Sequence, residues 1–254
     1  MKKATILLLA LSSLFAVSCN EEKQKPKVIY EEAKPSKAAQ PGEDNAAEIE
    51  VADLPILMEG TNYLIHPIGD IRVYDDNNRT YGSSRTNNAV SYAISNYSEF
   101  EITGYFDNLK FQHKDSTAMY PLTSKQVQIQ TATLLNANSG KTKKQFLVYT
   151  LVDADTNRDG RVDANDIRSL YISDISGRNF TKVSKDMQEL IDWSLVDAQS
   201  RLYFRTIEDI NKNGAFDKND SVHYHYADLV SPEWVVSEYQ PVTPVAAPTP
   251  QQAK

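Results

Sequence analysis

The sequence predicts a mostly β fold: a small β-sheet domain whose chemistry sits in loops between strands. Three observations carry that expectation. Short β-branched or aromatic runs recur at 63–66, 69–74, 92–97, 99–105, 109–112, 127–134 and 145–152, each about the length of an ordinary strand. Clusters of Asn, Gly, Ser and Asp separate them, such as DDNN at 75–78 and NANSGK at 136–141, and such residues favour turns. Only one stretch, VSKDMQELIDWSL at 183–195, spaces its apolar residues as a helix does, at Met187, Leu190, Ile191 and Leu195. It is the single helix expected, although Leu190 to Leu195 also reads as a strand.

The strands carry a hint of repetition. NLKFQHKDSTAMYPLTSKQV, SLYISDISGRNFTKVSKDM and SVHYHYADL each open on a small polar residue, followed by a short strand and a polar turn. Leu122-Thr123-Ser124-Lys125 and Lys182-Val183-Ser184-Lys185 recur at nearly the same offset. LYISDISGRNFTKVS resembles a strand pair from TolB-like β-propeller blades. A complete propeller needs more blades than this chain supplies, so the resemblance implies at most a small propeller-like stack of sheets.

The ends of the chain differ from its middle. MKKATILLLALSSLFAVSC begins with two lysines, runs apolar and ends in small residues, the pattern of an export signal whose apolar run is too short to span a bilayer. The sole cysteine, Cys19, follows Ala16-Val17-Ser18. This resembles the lipobox of bacterial lipoproteins, with Ala16 where Leu is usual. The resemblance implies a signal at 1–18, a lipid on Cys19, and membrane attachment through it. Asn20-Glu21-Glu22 is similar to the acidic signals that send some lipoproteins to the outer surface. The expected location is thus the bacterial envelope, at the outer membrane.

Residues 19–54 are charged and rich in Ala, Pro and Lys, the composition of a flexible tether. PVTPVAAPTPQQAK, from 241, reads as an extended, disordered tail. The domain is expected between them, at 55–240, long enough for one core and held without any disulfide. Cleavage of the signal removes two lysines and no acid, taking the formal charge from −7 to −9. Such an acidic domain with few basic clusters argues against nucleic acid and against electrostatic membrane binding.

The candidate site is DTNRDGRVDAND, 155–166. Side-chain oxygens fall at positions 1, 3, 5, 9 and 12, as Asp155, Asn157, Asp159, Asp163 and Asp166, with Gly160 sixth. Arg161, seventh, would contribute only its backbone carbonyl, and Asp163 is expected to act through water. This is EF-hand loop spacing: a hard cation takes six to eight oxygens, and glycine at the sixth position permits the sharp turn. The apolar eighth residue, Val162, is expected to anchor the loop to the core. The pattern returns as DINKNGAFDKND, with Asp209, Asn211, Asn213, Ala215, Asp217 and Asp220 as ligands, Gly214 sixth and Phe216 eighth. Two such matches point to Ca2+.

Both loops close on Asp rather than Glu, and DTNRDGRVDANDIRSLYI resembles the first half of a dockerin repeat. Dockerin loops lie closer together than these and are followed by helices. Here FLVYTLV and RLYFRTI before the loops, and SVHYHYADL after the second, are strand-like; only DIRSLYI suggests a helical turn. A strand–loop–strand clip is the expectation, and without helices to swing apart calcium stabilises rather than signals. Loop one carries four acids and loop two three, so the first should bind more tightly, within the range of about 10⁻⁴ to 10⁻³ M typical of extracellular modules.

Other candidates are His223 and His225, alternating on one strand as metal ligands or as an edge-strand surface pair, and Asp192-Trp193 with the tyrosines, as a sugar cleft or as cross-strand pairs. No serine elbow, phosphate-cradling glycine loop or glycosidase acid pair is present, so the reading leans away from an enzyme. The functional expectation is a binding or scaffold component with structural calcium. The alternatives are a calcium-dependent module docking to an envelope protein, as dockerins do, or an accessory glycan- or peptide-binding lipoprotein.

Overall fold

A computed structural model describes residues 26–30, 50–70, 94–139, 142–231 and 233–242. Cys19, the signal, residues 71–74 of the strand expected at 69–74, and the Pro-rich tail from 243 onward lie outside them. In chain order the strands are β1 (Glu50–Ala52), β2 (Ile56–Leu57), β3 (Tyr63–Asp70), β4 (Ser95–Tyr97), β5 (Glu101–Phe106), β6 (Asn108–His113), β7 (Met119–Pro121) and β8 (Gln128–Ser139). There follow β9 (Thr142–Val152), β10 (Arg168–Asp174), β11 (Thr181–Lys182), β12 (Gln188–Val196), β13 (Arg201–Glu208), β14 (Ser221–Asp228) and β15 (Val236–Glu238).

They form three antiparallel sheets. The first has the order β1-β3-β6-β7, with β2 also on β3; the second runs β11-β10-β9-β8-β5-β4; the third runs β12-β13-β14-β15. Two apolar layers join them. Ile65, Leu109 and Phe111 of the first sheet meet Phe106, Ile129, Tyr149 and Leu151 of the second. On the other face of the second sheet, Val148, Leu170 and Ile172 meet Leu190, Leu202 and Phe204 of the third. The middle sheet is therefore covered on both faces. That explains why β9 reads FLVYTLV, nearly continuous in apolar residues, because successive side chains point into opposite layers.

The hint of repetition has a counterpart in the backbone. Leu122 donates its N–H to Leu109 O at 2.8 Å, and Val183 donates to Leu170 O at 2.9 Å, the same distance back along the chain. The strands of the three similar stretches, β6, β10 and β14, lie one in each sheet.

The expected helix at 183–195 is instead β12, paired with β13 from Gln188↔Glu208 to Val196↔Arg201. The pairing slips between Leu190 and Asp192, so Ile191 is an extra, bulged residue. Leu190, Trp193 and Leu195 consequently share the face that packs into the second apolar layer. A bulge turns a step of two into a step of three, and that step imitates helical spacing. Among the described residues the only helical element is a single 3-10 turn, Asp197–Gln199.

Candidate metal loops

Each candidate loop closes a hairpin. Loop one joins β9 to β10, whose pairing ends at Val152↔Arg168. Loop two joins β13 to β14, whose pairing ends at Glu208↔Ser221. Strands flank both loops on both sides, and DIRSLYI enters β10 rather than a helical turn.

The two loops share a set of bonds at five amide positions. The amide of position 5 donates to the side chains of positions 1 and 3: Asp159 N to Asp155 Oδ1 and Asn157 Oδ1, Asn213 N to Asp209 Oδ1 and Asn211 Oδ1. Position 6 donates to the other oxygen of position 1, Gly160 N to Asp155 at 2.9 Å and Gly214 N to Asp209 at 2.7 Å. Position 7 donates to position 5, position 9 to position 12, and position 11 to position 9, in both loops. The fourth residue takes left-handed backbone in each, Arg158 at φ 58° and Lys212 at φ 56°, as does the sixth, Gly160 at φ 89° and Gly214 at φ 81°.

These bonds turn the ligand-type side chains toward the loop interior. A carboxylate has about four lone-pair sites, so one that accepts an amide proton keeps sites for a cation. The donor set is all oxygen, which suits a hard divalent ion. Among the described residues, no three His, Cys, Asp or Glu side chains converge at metal-holding distance. A bound cation would draw on asparagine and backbone oxygens as well as carboxylates.

The closing carboxylates differ. Asp166 is fully buried and accepts from Thr156 N at 2.7 Å, Asn157 N at 3.0 Å and Asp163 N at 3.0 Å. Asp220 is half-buried, accepting from Asp217 N at 2.8 Å and Asn211 Nδ2 at 3.3 Å. The eighth residues, Val162 and Phe216, are only half-buried and belong to neither apolar layer. Ile167, next to the closing acid of loop one, is buried.

A segment within the tether expected at 19–54 lies between the loops. Lys27 N and Val28 N both point to Gly214 O, at 2.7 and 3.4 Å, and Ile29 N donates to Thr156 O at 2.9 Å. The Thr156 hydroxyl stands 2.8 Å from Lys27 O and 3.1 Å from Asp166 Oδ1, so one proton faces two acceptors. Tyr30 donates its hydroxyl to Asp209 Oδ2 at 3.2 Å; burial, and then the Asp209 charge, push its pKa up to about 12. Val28 is 2% exposed.

Two further acids hold the loops from behind. Glu189 of β12 is buried and pairs with Lys27 at 2.9 Å and Arg168 at 2.8 Å, while Arg168 N donates to it at 2.8 Å. Asp153, just before loop one, accepts from Lys182 and Tyr171, each at 2.7 Å, and from Ser169 at 3.1 Å. Burial alone would raise its pKa, but those donors hold it below the usual carboxylate range. A cleft of about 730 Å³ opens beside this junction, lined by Lys27, Asn157, Asp159, Glu189 and Phe216 among others.

The remaining candidates resolve differently. β15 pairs with β14 only over 225–227, so His225 is not on an edge, whereas His223 lies beyond that pairing. His223 lies between Glu208 at 2.9 Å and Glu238 at 3.1 Å. His225 is fully buried, stacked on Phe204, with neither ring nitrogen hydrogen-bonded. Burial lowers its pKa. Trp193 packs into the second apolar layer and Asp192 pairs with Arg205, so these two do not line a common cleft. Tyr203 and Tyr226 are cross-strand partners with ring centres 5.6 Å apart, and Tyr239 meets both.

Sequence reasoning missed Val28, Tyr30, Asp153, Thr156 and Glu189. The one local signal was Val28-Ile29-Tyr30, an apolar triplet inside a charged stretch. A scan against protein-family models, a search of curated proteins and a search of solved structures each returned no match.

Proposed function

We propose that this chain is an exported, lipid-anchored envelope component whose two loops bind structural calcium and clip a β-rich binding or scaffold domain. The observation that carries the reading is the repetition of the same amide-to-carboxylate bonds at the same positions of two loops far apart in sequence. In loop one Asp155, Asn157, Asp159, Asp166 and the Arg161 carbonyl would hold the ion, with Asp163 through water. In loop two the holders would be Asp209, Asn211, Asn213, Asp220 and the Ala215 carbonyl, with Asp217 in the water position. Bound calcium would supply positive charge beside the loop carboxylates, four in loop one and three in loop two. Paired strands on both sides of each loop leave no helix pair to swing, which favours a clip over a switch. Attachment would run through Cys19, and partners would be envelope proteins or glycans.

Calorimetric titration of the full chain with calcium tests the metal reading. Two bound ions per chain, with loss of one after Asp209→Ala, are expected. A flat titration up to 10 mM calcium would overturn it.

A further inference from the structure

We infer that Pro26–Tyr30 is a strap that couples the two loops, so that calcium in either one tightens the other and holds the strap down. The inference rests on the calcium reading and deepens it. No contact between the loops themselves is needed, because the strap touches both. Its amides at Lys27 and Val28 take Gly214 O of loop two, and its amide at Ile29 takes Thr156 O of loop one. Both acceptors lie inside the loops, at the sixth and second positions, so their placement depends on each loop holding its turn.

The side chains add a link on each side. The Tyr30 hydroxyl reaches the first ligand position of loop two, at Asp209. On loop one, the Thr156 proton can serve either Lys27 O or Asp166 Oδ1. With the strap docked, the shorter of the two contacts is the one to Lys27 O, so the Thr156 hydroxyl ties the strap to the second position of loop one. Lys27 also reaches Glu189, which holds Arg168 at the exit of loop one. Gly214 is packed against the strap so closely that an added Cβ would lie 2.6 Å from Val28 O and 2.7 Å from Pro26 Cβ. The equivalent Cβ on Gly160 would meet nothing within 4 Å.

Coupling through a shared ordered segment follows from entropy as well as contact. An ion that orders one loop fixes half of the strap's acceptors, and the second loop then has less left to order. Allosteric couplings of this kind are commonly fivefold or more in affinity. For a chain lipidated at Cys19, a docked strap would hold the loops within about 25 Å of the anchor, the contour length of the residues between.

The test uses the full chain with calcium alone, and two readouts. The amide resonances of Gly160 and Gly214 report each loop separately, and trypsin cleavage of the Lys27–Val28 bond reports the strap. Tyr30→Phe is the decisive variant, because Tyr30 bonds to loop two only. Its removal is expected to weaken calcium in loop one as well, by at least about twofold, and Val28→Asp should weaken both loops about fivefold or more. Millimolar calcium should slow cleavage at Lys27–Val28 at least about fivefold, and Asp209→Ala should abolish most of that protection. If Val28→Asp does not fold, Tyr30→Phe and the cleavage assay decide. Two loops that bind calcium with affinities unchanged by Tyr30→Phe, and a bond cleaved equally fast with and without calcium, overturn the coupling while the calcium reading stands. Absence of any calcium-induced shift at Gly160 and Gly214 in the unsubstituted chain overturns both.

Discussion

Gly160→Ala and Gly214→Ala are the same substitution at the same position of two matched loops, yet they should differ in cost. Both glycines hold left-handed backbone, φ 89° and 81°, where a Cβ costs roughly 1–2 kcal/mol. That is the whole expected cost at Gly160, where the new methyl meets open space. At Gly214 the methyl would overlap Val28 O and Pro26 Cβ, so the strap must leave. Burial of a valine is worth about 1.5–3 kcal/mol, and part of that returns as chain entropy once the strap is free. The extra cost at Gly214 is therefore about 1–3 kcal/mol. Urea unfolding of the full chain in chelator measures both, with midpoints compared at unchanged slope. Cleavage at Lys27–Val28 should rise in Gly214→Ala and stay low in Gly160→Ala. Equal destabilisation with an equally protected strap would refute the reasoning.

Three further outcomes follow from the geometry. Replacing Asp155 and Asp159 together should remove more of the calcium-induced stabilisation than Asp209→Ala; the reverse order in melting experiments would invert the ranking of the loops. His225 is buried with its pKa lowered, so the unfolded chain takes a proton near pH 6.5 that the folded chain refuses. Stability is then full above about pH 6.5 and falls as pH drops below it, before Glu238, itself held below its usual range by His223 and Lys185, begins to titrate. His225→Phe should flatten that slope between pH 7 and 5.5, measured by chemical unfolding at fixed salt.

What was legible in the sequence was local. The ligand spacing of 155–166 and 209–220 is written within twelve residues, and so are the turns that the loops adopt. β9 was legible because a strand buried on both faces must be apolar throughout. β12 was not, because the bulge at Ile191 shifts its pattern toward helical spacing. The strap was hidden in a composition that reads as tether, and its three apolar residues acquire partners only across the fold, at Thr156, Asp209 and Gly214. Glu189 and Asp153 likewise depend on Arg168, Lys27 and Lys182, brought near by sheet packing.

The central claim is that calcium stabilises this fold through both loops. Thermal unfolding of the full chain with and without 10 mM calcium tests it most directly. For affinities of about 10⁻⁴ to 10⁻³ M, linkage gives about 1.4–2.7 kcal/mol per site. At about 2–4 °C per kcal/mol for a chain of this size, two sites should raise the melting temperature by at least about 5 °C. Paired replacement of Asp155 and Asp209 should remove the rise. An unchanged melting temperature in 10 mM calcium would contradict the account.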